Sequence, residues 1–368
     1  MKNILVDFYA HKNLGDDLFV KVLLERYPNH HFSIISSKKN ASPFSHYSNV
    51  NSVHPISDNL LIRFLIKILP DNSSLSNKIL KELWKNFYRN MAKKTDAYIN
   101  IGGSIFIENE IVSIHHELYG YKIDMLSHMP KFIISANFGP YSNKSFRDKY
   151  EQIFSQFEDV CFRESESFML FSKLDQVRYQ YDLILNHLHE INVSKVPNTV
   201  GISIIDLRNR PNLKAYSEVY DKYIDNIISK ALSLNKSVTL ISFCANEGDL
   251  DKAKEIKRKF NSIKIIDYQS NIDEFLSHYA SLSEVYATRF HAIILALVYK
   301  SKLMPISYSQ KTINMLKTIN YVGNVTEISK NKWYSDCNLE FDLELEEDMC
   351  NQFASLDWTL NEKLERTD

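Results

Sequence analysis

Residues Ser283 to Tyr299 read SEVYATRFHAIILALVY. Ser283 to Ala287 is a short β-rich run and Ala292 to Tyr299 an apolar helix, with the tetrad Thr288-Arg289-Phe290-His291 between them. This is the strand-to-helix step of a parallel sheet. At the carboxyl end of such a strand, the following helix directs unpaired N–H groups and its positive dipole end at whatever lies there. Two basic side chains at that point predict an anion site. Arg289 can grip a phosphate or carboxylate in two-point fashion, and His291 can pass a proton near neutral pH.

The same alternation runs along the chain. Strands are predicted near Asn3–Phe8, His31–Ser36, Ala97–Ile101, Lys131–Asn137 and Asp159–Phe162, with helices between them. A second series has strands near Thr199–Ile205, Ser237–Phe243, Lys264–Ile266, Glu284–Ala287 and Leu303–Ile306. Its helices fall near Leu213–Leu234, Glu247–Phe260, Ile272–Ser281 and Ala292–Tyr299. The polar stretch Asn186 to Asn198 divides the two series. The expected fold is α/β, with two Rossmann-like domains (residues 1–185 and 198–325) facing a cleft. A helical extension over 326–368 follows, its pattern clearest from Leu339 to Leu364. A chain of 368 residues suits two domains of ordinary size.

Composition narrows the chemistry. The 44 Lys and Arg against 45 Asp and Glu leave a net charge of −1, which argues against nucleic acid as a partner and makes any anion binding local. The four cysteines, Cys161, Cys244, Cys337 and Cys350, are scattered, with neither a paired C-x-x-C nor a clustered histidine. No metal site or disulfide framework is expected, and a reducing cytoplasm fits. The run from Leu60 to Leu69 is interrupted by Arg63 and Lys67, too short and too charged to span a membrane.

Other strand ends carry small polar motifs. Asn13-Leu14-Gly15-Asp16-Asp17 follows the first strand; Gly15 allows close backbone approach, and Asp16 or Asp17 can cap the next helix. Gly102-Gly103-Ser104 and Ser135-Ala136-Asn137-Phe138-Gly139-Pro140 follow two more. Each alone is an ordinary turn, but three on one rim describe half a pocket. Arg163 closes Asp159-Val160-Cys161-Phe162 and precedes Glu164-Ser165-Glu166-Ser167. Its bland alternative is an ion pair with Glu164 or Glu166. Tyr308 and Lys311 follow the strand Leu303–Ile306, where Lys311 is either a third cation or a solvated surface lysine.

Asn13-x-Gly15-Asp16, Gly102-Gly103-Ser104, Ser135-x-Asn137-x-Gly139-Pro140, Asp159-Val160-x-x-Arg163-Glu164-x-x-Ser167, Asp182, Arg289-Phe290-His291 and Tyr308-x-x-Lys311 occur in that order. This ordered set resembles the polysaccharide pyruvyl transferase family over roughly residues 1 to 325. Asp17 stands where the family usually has Glu, and Ser104 where it has a third glycine. The resemblance implies a fold like the two-domain B-type glycosyltransferases. It also implies phosphoenolpyruvate as donor and a sugar diol as acceptor, on a surface polysaccharide, exopolysaccharide or capsule or its lipid-linked precursor, with no cofactor. It assigns Arg163, Arg289 and His291 to catalysis and the donor, with Phe290, Tyr308 and Lys311 beside the donor. Asn13, Gly15, Asp16, Gly103, Ser104, His115 and Asn137 fall to the acceptor or cleft.

Two rival readings share these residues: a B-type glycosyltransferase with a nucleotide-sugar donor, and a non-catalytic sugar-binding scaffold. The pair His115-His116 cannot present both rings to one ion, since adjacent helical side chains diverge. From Leu75 to Lys94, Ile79, Leu80, Leu83, Trp84, Phe87, Tyr88 and Met91 recur at helical spacing, with Lys78, Lys81, Lys85, Arg89 and Lys93 on other faces. Such a helix either packs on the first sheet or rests peripherally on an anionic membrane near a lipid-linked saccharide.

Overall fold

The computed structural model describes residues 1–56, 74–108, 114–188, 191, 193–210, 212–337 and 341–360, without the side chains of Ser74, Ile114, His115 and Asn209. The chain forms two compact units. The first holds the described residues of Met1–Ala10, Phe19–Leu183 and Glu347–Asp368, and the second those of His11–Leu18 and Ile184–Glu346. Each is built on one parallel sheet, the architecture expected from alternating strands and helices.

The first sheet has strands β1 (Asn3–Asp7), β2 (His31–Ile35), β3 (Val50–Val53), β4 (Ala97–Ile101), β5 (Lys131–Ala136), β6 (Asp159–Phe162) and β7 (Val177–Tyr179) in the order β3-β2-β1-β4-β5-β6-β7. All its pairings are parallel. Strands β4, β5 and β6 are buried at every position. That is the pattern of parallel strands covered on both faces. Strand order reverses between β1 and β4, where open α/β sheets bind ligands. The chain's helices begin with α1 (Leu14–Arg26), α2 (Ser74–Ala92), α3 (Ile114–Met125), α4 (Lys144–Phe154), α5 (Ser165–Phe171) and α6 (Leu183–His187).

In the second unit β8 (Val196–Ser203), β9 (Ser237–Ser242), β10 (Lys264–Asp267), β11 (Leu282–Ala287), β12 (Lys302–Ser307) and β13 (Thr326–Glu327) pair in parallel in the order β10-β9-β8-β11-β12-β13. The reversal here lies between β8 and β11, so the step that carries Arg289 stands at it. Helices α7 (Ser217–Ser233), α8 (Asp249–Lys259), α9 (Ile272–Ala280), α10 (Phe290–Val298) and α11 (Gln310–Thr318) connect the strands. Helix α10 buries Phe290 and Ala292 through Leu297. Apart from His291 the helix is apolar, and a helix hydrophobic on nearly all sides is a buried one.

Several boundaries differ from the sequence reading. Helix α10 begins at Phe290 rather than Ala292, which makes Arg289 its N-cap and His291 part of its first turn. Strands β3 and β13 were not expected, because VNSV and TE carry no apolar run. The extension is mostly irregular: among the described residues beyond 341, a short 3-10 turn at Glu347–Met349 and α12 (Ala354–Leu360) are its only helical parts. Buried Phe353, Leu356 and Leu360 anchor it. The run Leu60–Leu69 lies outside the described residues, and no described helix is long and apolar enough to cross a membrane.

Helix α2 spends its apolar stripe on the first unit's core. Trp84 and Tyr88 are buried there, with Phe87, Met91 and Ala92 packed against the same cluster. Three of its basic side chains meet α3: Lys81 pairs with Glu117, and Lys85 and Arg89 lie 5.7 and 5.9 Å from the Tyr121 ring centre. The carboxyl-terminal half of the stripe therefore faces protein, while Leu75 at the helix start is exposed.

Candidate active site

In the second unit the carboxyl ends of β8, β9, β11 and β12 bring together a dense set of charges. Arg289 is 7% exposed. Its backbone N–H donates to Ser203 Oγ at 3.2 Å, which ties the helix start to the neighbouring strand. The guanidinium does not stand open to solvent, as a bare anion site would require. Nε donates to Asp249 Oδ2 at 2.9 Å and Nη2 to Asp249 Oδ1, a fork-to-fork pair, while Nη1 donates to Glu247 Oε2 at 2.5 Å. Burial works against the charge, yet Asp249 and Glu247 hold the Arg289 pKa above its ordinary value. Two carboxylates replace the water that a buried guanidinium cannot do without.

The two carboxylates are not equivalent. Asp249 is fully buried and also accepts the N–H groups of Phe243 and Cys244 at 3.2 and 3.1 Å. Glu247 is partly open, with a side chain 27% exposed, and its Oε2 also accepts from Arg210 Nη2 at 3.1 Å. Burial raises its pKa, but Arg289, Arg210 and Lys311 together pull it below the ordinary range. Tyr308 reports the same cluster. Its ring lies 5.2 Å from the Arg210 guanidinium, and although burial raises the phenol's pKa, Lys311, Arg289 and Arg210 bring it below the usual value. Lys311 Nζ stands 5.4 Å from the Phe290 ring centre.

His291 is held by an absence of side chain. A Cβ on Gly15 would fall 1.9 Å from His291 Nδ1, so only glycine admits the ring there. The start of α1 is fixed in turn: Leu14 N donates to Phe243 O at 3.2 Å, and Tyr268 Oη donates to Asp17 Oδ2 at 2.7 Å. The capping residue is Asn13, not Asp16 or Asp17, because Asn13 Oδ1 accepts the Gly15 N–H at 3.2 Å. Asp17 is fully buried, and burial raises its pKa well above the carboxylate range despite the Tyr268 bond. Asp16 is buried in the same turn.

In the first unit, the loops after β4, β5 and β6 meet on Arg163. Nη1 donates to Asp182 Oδ2 at 2.8 Å and Nη2 to Asn137 Oδ1 at 3.0 Å, the same oxygen that accepts from Ser104 Oγ at 3.0 Å. The partner is Asp182, not Glu164 or Glu166; Glu164 accepts instead from Ser167 Oγ at 2.6 Å. Gly103 makes room, since a Cβ there would sit 2.7 Å from Arg163 Nη2. Phe138 is buried among Phe171, Phe154 and Tyr150, with its ring 4.8 Å from that of Phe171. That packing fixes Asn137 beside it. His115 belongs to α3, but its side chain lies outside the described residues. Its neighbour His116 meets Tyr150 Oη at 2.7 Å and so has a structural partner.

The family model described as "Polysaccharide pyruvyl transferase" matches residues 13–310, most of the chain. The chain belongs to the polysaccharide pyruvyl transferase family. As a member it is a transferase enzyme that modifies polysaccharide by pyruvylation.

Solved structures resemble this pyruvyl transferase family member in fold alone. The UDP-GlcNAc 2-epimerase of Methanocaldococcus jannaschii aligns with a TM-score of 0.55 at 9% identity, covering 97% of this chain and 99% of that one. S. aureus MnaA, solved with UDP, aligns at 0.54 and 11% identity over 98% and 97%. A putative UDP-N-acetylglucosamine 2-epimerase from Listeria monocytogenes aligns at 0.54 and 11% over 97% and 94%. These are relatives of B-type glycosyltransferase architecture.

Sequence reading missed Arg210, Glu247 and Asp249. A signal existed for each. Arg210 closes Asp206-Leu207-Arg208-Asn209-Arg210 beyond β8, at the sheet's reversal, and Glu247-Gly248-Asp249 places an acidic pair just past the end of β9.

Proposed function

We propose that this transferase moves the enolpyruvyl group of phosphoenolpyruvate onto two hydroxyls of a saccharide, giving a cyclic pyruvate ketal and phosphate. The observation that carries the reading is the cationic set at the carboxyl ends of the second sheet's strands, in which Arg289 and Arg210 share Glu247 Oε2, Tyr308 lies against Arg210 and Lys311 stands near the Phe290 ring. A donor bearing phosphate and carboxylate on a three-carbon frame calls for several fixed cations rather than one. His291, on the first turn of α10, is the proton carrier of this scheme. Arg163, held by Asp182 and Asn137, is assigned to the donor by the family pattern, with Phe290 and Tyr308 beside it. Asn13, Gly15, Asp16, Gly103, Ser104, His115 and Asn137 are assigned to the acceptor side.

The chemistry balances with these groups alone. His291 delivers a proton to the donor's methylene carbon, which becomes a methyl group and leaves positive charge on the adjacent carbon. One sugar hydroxyl bonds to that carbon and gives up its proton. The carbon–oxygen bond to phosphate then breaks, phosphate leaving with the bonding pair, and the second hydroxyl closes the ring and loses its proton. One of the two released protons replaces the one His291 delivered, and the other leaves on the phosphate, which departs as monohydrogen phosphate. Arg289, Arg210 and Lys311 offset the charge that grows on the departing phosphate. Glu247, the partly open carboxylate among them, occupies the seat that such an anion would take.

The test is the thermal midpoint of the purified protein titrated separately with phosphoenolpyruvate, inorganic phosphate and nucleotide-sugars. A ligand at 100 times its Kd adds about 2.7 kcal/mol. Stabilisation by phosphoenolpyruvate that disappears in Arg289→Ala supports the donor. Stabilisation by a nucleotide-sugar alone transfers the site to glycosyl transfer. The acceptor is expected on a surface polysaccharide or its lipid-linked precursor, at the cytoplasmic side of the membrane. Co-sedimentation with anionic vesicles tests any peripheral contact there.

A further inference from the structure

A side chain whose hydrogen-bond partners lead to Arg163 lies outside the segment that matches the family, residues 13–310. Gln352 is 1% exposed, on the carboxyl-terminal segment that packs into the first unit. Its Oε1 accepts the Ser135 N–H at 3.0 Å, and its Nε2 donates to Tyr181 O at 2.7 Å and Gln180 O at 3.4 Å. One amide thus joins the end of β5 to the turn that follows β7.

Both stretches lead directly to Arg163. Ser135 is the residue at which β5 and β6 shift register, with φ of +57°, a left-handed conformation unfavourable for a non-glycine residue. Two residues later comes Asn137, whose Oδ1 accepts Arg163 Nη2. Tyr181 immediately precedes Asp182, which accepts Arg163 Nη1. Ser135 Oγ closes the junction by accepting the Leu183 N–H at 3.0 Å, so the Asp182 backbone is tied on both sides. The segment is held down independently of the amide: Tyr181 N donates to Met349 O at 2.9 Å, and Arg178 donates to Asn351 O and Gln352 O at 2.6 and 2.8 Å.

We infer that Gln352 is a positioning residue, clamping the Ser135 bulge to the Tyr181–Asp182 turn so that Asn137 and Asp182 hold the Arg163 guanidinium in one orientation for substrate. The inference rests on the proposed role of Arg163 in donor binding. It adds that a side chain beyond the family segment sets the geometry of that residue. The clamp needs an acceptor and a donor on one planar group. Alanine supplies neither, and an ionised glutamate supplies an acceptor but sets its second oxygen against two carbonyl oxygens. A protonated glutamate supplies both, and burial among carbonyls favours the protonated form.

The experiment measures KM for phosphoenolpyruvate and kcat in the full chain for Gln352→Glu and Gln352→Ala from about pH 6 to 8.5. We expect KM to rise about tenfold in both at high pH, and in Gln352→Glu alone to return toward wild type as pH falls. Ser135→Ala, which removes the hydroxyl that accepts Leu183 N–H, opens the same junction from the other side and should raise KM in the same direction. Asp357→Asn loosens the segment elsewhere, where Asp357 accepts from Arg26 Nη2 at 2.7 Å, and should leave KM unchanged. The inference is overturned if the Gln352 variants keep wild-type KM while Arg163→Ala loses activity. A KM rise in Asp357→Asn equal to that in Gln352→Glu also overturns it, since segment anchoring would then be the cause. If Arg163→Ala itself keeps wild-type KM, the reading of Arg163 falls first and takes the clamp's purpose with it.

Discussion

Replacing Gly15 with alanine should separate folding from chemistry at the proposed proton carrier. The added methyl would lie 1.9 Å from His291 Nδ1 and 2.7 Å from both Cγ and Cε1. Non-bonded carbon contacts settle at roughly 3.5–4 Å, so the ring must withdraw by about 1.5–2 Å. An imidazole does this by rotation, at a cost of about 0.5–1.5 kcal/mol for a strained rotamer. Alanine in a helix returns about 0.5–1 kcal/mol relative to glycine. The two nearly cancel, so the melting temperature should move little. Catalysis should not be spared, because a misplacement of about 1 Å can cost about 100-fold. Phosphate release from phosphoenolpyruvate, assayed with a saccharide acceptor found by screening, should fall about 100-fold or more in Gly15→Ala. His291→Ala sets the floor, and the double variant should be no slower than His291→Ala alone, since both act through one ring. Activity within threefold of wild type, or additive losses in the double variant, would refute the reasoning.

Gly103→Ala should raise the donor KM about tenfold by pressing on an Arg163 already fixed at Asp182 and Asn137, a smaller shift than at Gly15 because the contact is 2.7 Å; an unchanged KM in steady-state kinetics argues against Arg163 as a ligand. Glu247→Gln removes the carboxylate among Arg289, Arg210 and Lys311 while leaving Asp249, so inorganic phosphate should bind about tenfold more tightly by calorimetry, roughly 1.4 kcal/mol; weaker binding would mean that Glu247 organises the site rather than occupies it. Asp17 carries a raised native pKa, so above about pH 4 the native state keeps a proton that the unfolded chain has lost, and stability falls as pH rises toward the native value. Asp17→Asn has no such proton, and its melting temperature should gain on wild type between about pH 5 and pH 8; a constant difference across that range contradicts the buried-acid account.

What the sequence showed well follows from one rule: in a parallel sheet, whatever lies just beyond a strand is delivered to the binding rim. The placement of Arg163, Asn137, Gly103, Arg289, His291 and Tyr308 just beyond strand ends was legible for that reason, and the ordered motifs carried the family. What it could not show was who meets whom. Arg163 finds Asp182 across 19 residues and Arg289 finds Asp249 across 40. Those distances are closed by sheet order, which brings β6 beside β7 and β8 between β9 and β11. Nothing in the local pattern around Arg289 announces that order, so the residue reads as an open anion site when it is a paired one. Gln352 was less legible still, because a single polar residue before a short helix looks like any solvated position.

The pairing of both arginines changes what the site must do to bind an anion. A guanidinium buried with one carboxylate is neutral as a unit, and a ligand would gain little from it. At Arg289 the structure provides two carboxylates of different standing. Asp249 is bound by two backbone N–H groups as well as by the fork, and displacing it would strand them; Glu247 shares a single oxygen between Arg289 and Arg210 and keeps a route to solvent. A phosphate that replaces Glu247 would meet Arg289, Arg210 and Lys311 without disturbing the Asp249 fork that aims Arg289. The fixed partner then sets direction, and the replaceable one keeps three cations close together until the donor arrives. On this account Asp249→Asn should impair the enzyme far more than Glu247→Gln, although both remove one negative charge from the same arginine.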